Sequence, residues 1–455
     1  MPHPSRRAFI KAAACAVAAP TIVPRSVFGA NAPSNRINIG FIGLGNQSKV
    51  DLPAFLKNDD VQVLAVCDVN KGSLGYRDAK DFLGREPGKQ RVDAHYAEKK
   101  GTNQYKGCDA YTDFRDVLGR SDIDAVVIIV PDHWHAVMTI AAAKAGKDIY
   151  CEKPLSLCVD QGQAMVKAVR DHKRILQTGS QHRSNDAIRR GCELVLNGRI
   201  GKLERIRAFV AANNFTGPGP GWQPMPVPDG FDYATWLGPA PDAPYHQDRC
   251  LYKFRFISDY SGGQTTNFGA HSFDLAQLGH GSDLSGPVEF EDDGSEWPTP
   301  GSLFTTATKV AFRAKYADGV ELIAETGGFA TRFEGTEGWL EVGYGDFKSS
   351  NKSLKDSVIG PNEIHLPESV PGHPAIDTRA SSDRHIRNFL SAVKSRKDPI
   401  EPVEIGHRTA TICHLGNIAM KLKRKIKWDP DTEKIIGDKE ATAMLSHPMR
   451  DPWKI

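Results

Sequence analysis

From residue 37 onward, short unbroken apolar runs alternate with longer stretches whose apolar positions recur at helical spacing. Ile37 to Ile42 and Val61 to Cys67 read as strands, and Ala110-Tyr111 as a third, shorter one. TDFRDVLGR reads as a helix capped by Thr112 or Asp113. IDAVVIIVP is a buried strand ending at Pro131, and HWHAVMTIAAAKAG is a helix with Gly146 suited to its C-terminal cap. KDIYC, VDQGQAMVKAVRDHK and RILQTGS continue as strand, helix and strand. Such alternation predicts an α/β, doubly wound parallel sheet over residues 33–184. The stretch REPGKQRVDAHYAEKKGTNQYKGC interrupts it as an insertion of unassigned shape.

Beyond residue 185 the pattern changes. Leu203 to Ala212 reads as a strand, followed by the loop NNFTGPGPGWQPMPVPDG, too rich in proline for a helix. TKVAFRAKYADGVELIAET predicts a hairpin turning at Ala317-Asp318-Gly319, and FATRFEGTEGWLEVGY adds further strands. Two amphipathic helices follow, the first with Ile386, Phe389, Leu390 and Val393 on one face. The prediction is a second, α+β domain over residues 185–430 with a large, mostly antiparallel sheet, then a tail at 431–455 ending HPMRDPWKI.

A length of 455 residues suits two domains, and a formal charge of +3 is too small to argue for a nucleic-acid or anionic-membrane partner. No apolar run approaches the roughly 18 residues that span a bilayer. The N-terminus, SRRAFIKAAACAVAAPTIVP, matches a twin-arginine export signal: Arg6-Arg7 stand between Ser5 and Phe9, with Lys11 following. Residues 1–32 are therefore expected to be a signal peptide cleaved near Gly29 to Ala32, giving a periplasmic or other extracytoplasmic protein. The 8 cysteines contain no C-x-x-C pair, and a disulfide framework is not expected in so long a chain.

Candidate chemistry gathers where strands end. Gly43-Leu-Gly45-Asn46-Gln47-Ser48 follows the first strand and approximates the dinucleotide fingerprint, with serine for the third glycine. Asp68 ends the second strand, about twenty residues on, where a carboxylate accepts hydrogen bonds from a ribose diol and repels a 2′-phosphate. NAD is expected over NADP. Pro131-Asp132-His133 and Glu152-Lys153-Pro154 end later strands, so Lys153 should face the cleft where a nicotinamide lies. His133 and His135 flank Trp134; one of them is a candidate nicotinamide contact, and no metal site is expected.

These residues together resemble the glucose–fructose oxidoreductase and inositol dehydrogenase superfamily, Gfo/Idh/MocA. Its most specific mark is the E-K-P at Glu152-Lys153-Pro154, and PDHWHA with CEKPLS is similar to an exported bacterial branch. The resemblance implies that Gly43, Gly45, Asn46, Gln47, Asp68, Pro131, His133, Glu152 and Lys153 hold NAD, and that Lys153 also bonds the substrate hydroxyl. The segment DYSGGQTTNFGAHSFDLAQLG is similar to the family's G-G…D-x-x-x-H, placing His271 as catalytic base. Asn267 replaces the acid four residues earlier; it can orient His271 on one helix face but supplies no charge. Asp274, one turn later, is a candidate substitute for that acid. His182, Arg183, Tyr252, Arg255 and Asp259 are candidate sugar contacts.

The resemblance implies hydride transfer on a carbohydrate and a homo-oligomer built through the C-terminal sheet. An exported enzyme of this kind is expected to keep its NAD and recycle it in place. Two alternatives stand beside it: a glycosidase or lyase using transient oxidation and elimination, and a catalytically weakened sugar/NAD-binding protein.

Overall fold

The computed structural model describes residues 35–371 and 380–455; the signal peptide expected over 1–32 lies outside them. The first sheet has six strands, β1 (Ile37–Ile42), β2 (Val61–Cys67), β3 (Asp109–Tyr111), β4 (Ala125–Ile128), β5 (Asp148–Cys151) and β6 (Leu176–Thr178). Their order is β3-β2-β1-β4-β5-β6, with every pairing parallel. Residues such as Ile39, Phe41, Val63, Val127 and Ile149 are wholly buried, because helices cover both faces. The order reverses beside β1, so a crevice opens at the carboxyl ends of β1 and β4.

The stretch beginning REPG, unassigned from sequence, is mostly the helix Arg85–Lys100, which ends at Gly101 with φ +62°. It docks through buried Val92 and Tyr96, whose hydroxyl accepts the Val63 N–H at 2.9 Å. Only a few of its positions are buried, which leaves little periodicity to read.

The second sheet has nine strands: β7 (Leu203–Ala211), β8 (Glu289–Asp292), β9 (Ala311–Lys315), β10 (Glu321–Gly327), β11 (Ala330–Gly335), β12 (Gly338–Gly343), β13 (Lys348–Ser349), β14 (Ile426–Asp429) and β15 (Lys434–Ile435). All its pairings are antiparallel except β7 with β10. The hairpin expected around Asp318-Gly319 is present as β9–β10. On β7, Ile206, Ala208 and Val210 point into the core, while Arg205 and Arg207 face outward against Glu321, Glu334 and Glu325. The inner face is covered by the helices Asp186–Leu196, Gly269–His280 and Val403–Leu422.

The chain then crosses back to the first domain twice. The helix Ala380–Ser395 sets Phe389 against Phe55 and Tyr150, with ring centroids 6.3 and 5.8 Å apart. At the C-terminus Trp453 lies 4.8 Å from Trp134 and 6.3 Å from Phe114, with the Arg115 guanidinium 5.2 Å over its ring. Among the described residues no helix is long and apolar enough to cross a membrane.

Phe389 is fully buried in the core of the first domain although it belongs to the far end of the chain. Phe389→Ala should therefore destabilise that domain by about 3–5 kcal/mol. A fall in the denaturation midpoint, followed by circular dichroism, checks this; an unchanged midpoint contradicts the packing.

Candidate active site

The crevice at the strand ends continues into a cleft of about 320 Å³ between the two domains. Its floor is the turn after β1. Gly43 has φ +96°, and a Cβ there would stand 2.0 Å from the Ile129 carbonyl oxygen, so only glycine fits. Ser48, in the third glycine's place, is buried and its Oγ donates to the Gly45 carbonyl at 2.7 Å. The N–H groups of Gly45, Asn46 and Gln47 find no acceptor among the described residues, whereas that of Gly43 is taken by Cys67 O. Three free amides at the start of the helix Ser48–Leu56 make an anion cradle. The Asp68 carboxylate is aimed by the Leu44 and Asn70 N–H groups at 2.7 and 2.8 Å. Burial pushes its pKa up, and those amides partly offset that. The turn, the free amides and the placed carboxylate fit a dinucleotide. Gly43, Gly45, Asn46, Gln47, Asp68, Pro131, Glu152 and Lys153 all line this cleft.

His133 does not. Its imidazole is buried against Trp236 and Tyr260, with Nε2 3.0 Å from the Trp236 carbonyl, and burial pushes its pKa down to about 3. His135 is likewise held between the carbonyls of Pro154 and Val130, at 2.7 and 2.9 Å. On this helix, Asp132–Lys144, the residues lining the cleft are Asp132, Trp134 and Met138. Asp132, placed at a strand end by the sequence but given no role there, is the first residue of this helix. Burial lifts its pKa to about 6.

Lys153 follows β5, and its peptide bond to Pro154 is cis. Its ammonium donates to Asn267 twice, to the backbone carbonyl and to Oδ1, at 3.1 Å each. No carboxylate lies within ion-pair distance of it among the described residues. Burial lowers its pKa, Glu152 opposes that, and Arg255 adds to it. Glu152 is itself lifted to about 7 by burial, and Asp51 behind it is raised by burial and by Glu152. Two buried carboxyl groups so close cannot both hold full charge cheaply.

This geometry corrects the role expected of Asn267. The helix is interrupted at Phe268, between Gln264–Asn267 and Gly269–His280, and the Asn267 amide turns toward Lys153 rather than His271. Its Nδ2 donates to Gln264 Oε1 at 2.8 Å. His271 lines the cleft with Nδ1 buried and unpartnered. Burial, then His182 and Lys153, hold its pKa well below the usual imidazole value, so the ring is neutral. His182 meets it edge-on, centroids 4.8 Å apart.

Asp274 does not replace the missing acid. It is buried one turn beyond His271, but its Oδ1 accepts from Arg183 at 2.7 Å. Arg183 also pairs with Asp283 at 2.7 Å and does not reach the cleft, because three carboxylates, Glu401 included, hold it inside the protein. Asp259 also stays out of the cleft, 3.8 Å from His447. Of the expected sugar contacts, His182, Tyr252 and Arg255 line the cleft. Two residues not anticipated join them. Arg77, in the loop after β2, carries no sequence signal. Tyr344 is an aromatic between Gly343 and Gly345; it is 64% exposed at the cleft mouth, 5.6 Å from His182.

Two family models match this chain. Residues 37–180 match "Oxidoreductase family, NAD-binding Rossmann fold", and residues 213–455 match "Oxidoreductase family, C-terminal alpha/beta domain". A myo-inositol 2-dehydrogenase of Thermotoga maritima is 30% identical over 38% of this chain and 44% of its own length. A glycosyl hydrolase family 109 protein of a Shewanella species is 31% identical over 30% of this chain and 27% of its own. The chain thus matches less than half the length of either relative. A solved levoglucosan dehydrogenase, in complex with NADH and levoglucosan, shares the fold, with a TM-score of 0.59 over 86% of this chain and 99% of that one at 18% identity. With the parallel sheet, the glycine turn and the E-K-P lysine in one cleft, and with models of both its domains matched, the chain belongs to the Gfo/Idh/MocA oxidoreductase family.

Proposed function

We propose that this protein is an NAD-dependent oxidoreductase acting on a hydroxyl group of a sugar or sugar derivative, with its cofactor kept and recycled in place. The observation that carries the reading is the meeting of a half-buried ammonium, Lys153, and a neutral imidazole, His271, in the cleft lined by the Gly43–Gln47 turn and Asp68. When bound, NAD supplies a hydride acceptor. Asp68 and the free amides of the turn hold its ribose and diphosphate. Lys153 donates a hydrogen bond to the reacting hydroxyl and stabilises negative charge that develops on its oxygen. His271 takes the hydroxyl proton, being neutral at physiological pH. His182 and Tyr252 orient the sugar. The names of the inositol dehydrogenase and levoglucosan dehydrogenase relatives support a polyhydroxylated substrate.

A redox-neutral glycosidase or lyase is the second reading. It is supported by the glycosyl hydrolase relatives and by Asn267, which leaves His271 without an acid beside it. Release of an aglycone from a glycoside panel without net NADH would favour it. Nucleotide binding without turnover would favour a binding protein. The Arg6-Arg7 signal supports export in the folded state, with cofactor already loaded, and the open outer face of the nine-stranded sheet supports a homo-oligomer.

Lys153→Met and His271→Ala should each lower kcat by about 10²–10⁴-fold while leaving NAD bound. Mass analysis of cofactor released from denatured protein, beside turnover assays, checks both halves.

The pH profile follows from the two shifts. The His271 base form persists below the ordinary imidazole value of 6.5, so the acid limb of kcat/KM should lie under that pH. Lys153 loses its proton below the ordinary lysine value of 10.5, so the alkaline limb should fall before it. Asn267→Asp would place a carboxylate on the ammonium and raise its pKa, moving the alkaline limb to higher pH. An alkaline limb unchanged in that variant would contradict the assignment.

Replacing Arg6 and Arg7 together by lysine should leave the protein in the cytoplasm, read by fractionation and immunoblot. Equal periplasmic amounts of variant and parent would rule out the twin-arginine route.

A further inference from the structure

Arg255 stands out among the cations of the cleft. It lies on the second domain, in the turn Lys253–Phe256, and lines the cleft with Lys153 and Asp132. Its guanidinium stacks on the Tyr252 ring at 3.8 Å and donates to the Tyr252 carbonyl. Its Nε is buried without a hydrogen-bond partner, and among the described residues no carboxylate lies within ion-pair distance. Arg77 lines the same cleft from the first domain; it is exposed to solvent and has no hydrogen-bond or ion-pair partner among the described residues. The contrast with Arg183 is direct: that buried guanidinium meets three carboxylates. Arg255 is only half-buried, but its Nε is enclosed and unpaired, and the guanidinium's fork of donors matches a carboxylate or phosphate.

The acids in reach do not balance these charges. Asp132 and Glu152 are both pushed toward their neutral forms by burial, and Lys153 is bound only by the neutral oxygens of Asn267. The cofactor's diphosphate has its own cradle at the Gly45–Gln47 amides. Arg255 instead shares its electrostatic surroundings with Lys153, Asp132 and Arg77.

We propose that the substrate is an acidic sugar, whose anionic substituent is received by Arg255, with Arg77 beside it, while Lys153 and His271 address a hydroxyl on the same ring. The inference rests on the sugar-oxidoreductase reading above and adds the charge of the substrate.

The test uses the full NAD-loaded protein with glucuronate, glucose 6-phosphate and glucose, followed by calorimetry and by nicotinamide absorbance. At least one of the two anionic sugars should bind about tenfold or more tightly than glucose, weakening as salt rises. The better of the two identifies the substituent as carboxylate or phosphate. In Arg255→Gln the preference should collapse toward unity with NAD affinity unchanged, and Arg255→Lys should keep part of it. Arg77→Gln should give a smaller loss in the same direction. Equal binding of glucose and the anionic sugars would overturn this inference and leave the sugar reading standing. So would an Arg255→Gln protein that loses NAD affinity while its sugar preference persists, since the anion would then be the cofactor's diphosphate. Failure of the NAD-loaded protein to bind any of the three would overturn both.

Discussion

A half-buried ammonium held by neutral oxygens is the constraint around which this site is organised. Lys153 comes from the first domain and Asn267 from the second, so their two hydrogen bonds cross the cleft. Had residue 267 been an acid, the pair would be a desolvated salt bridge, with the lysine proton locked in place. An amide satisfies two donors of the ammonium without cancelling its charge. The lysine therefore keeps a field that acts on whatever oxygen enters the cleft. The same field acts on His271, which it helps to keep neutral. One substitution in the family pattern thus bears on both titrating groups: it leaves His271 in its proton-accepting form and leaves the Lys153 ammonium without a compensating charge.

The imidazole is placed by packing and by a charged frame behind it. His182 and Arg183 are neighbours in sequence, and their partners, His271 and Asp274, are one helical turn apart. The ion pair inside the protein and the ring contact at the cleft are consequently two rungs of one ladder. Glu401, lifted above its usual pKa by burial, joins this frame from the start of the helix Val403–Leu422. Two segments distant in sequence, one holding Asp274 and Asp283 and the other Glu401, are thereby fixed to one guanidinium.

Much of this was legible in the residues alone. The inner parallel strands announce themselves as apolar runs because both sheet faces are buried there, whereas the edge strand β3 does not, and the nucleotide turn is written in Gly43, Gly45 and Asp68. Lys153 could be placed because strand ends converge in such a sheet. The partners of polar side chains could not be read in the same way. Asn267 and His271 have helical spacing, yet a break at Phe268 sends the amide elsewhere. Arg183 and Asp259 looked like sugar contacts because they flank conspicuous motifs, and only tertiary structure reveals the carboxylates behind one and the histidine beside the other. Arg77 and Tyr344 belong to loops, whose direction no periodicity encodes.

The return of the chain to its first domain bears on how the protein is made. Trp134 lies on the helix that walls the cofactor cleft, and it is shielded by Trp453, which comes much later in the sequence. A nascent chain that has not yet delivered Phe389 and Trp453 lacks two aromatic pieces of the domain that emerged first. The packing of the nucleotide-binding domain is thus completed by residues from early and late parts of the chain alike.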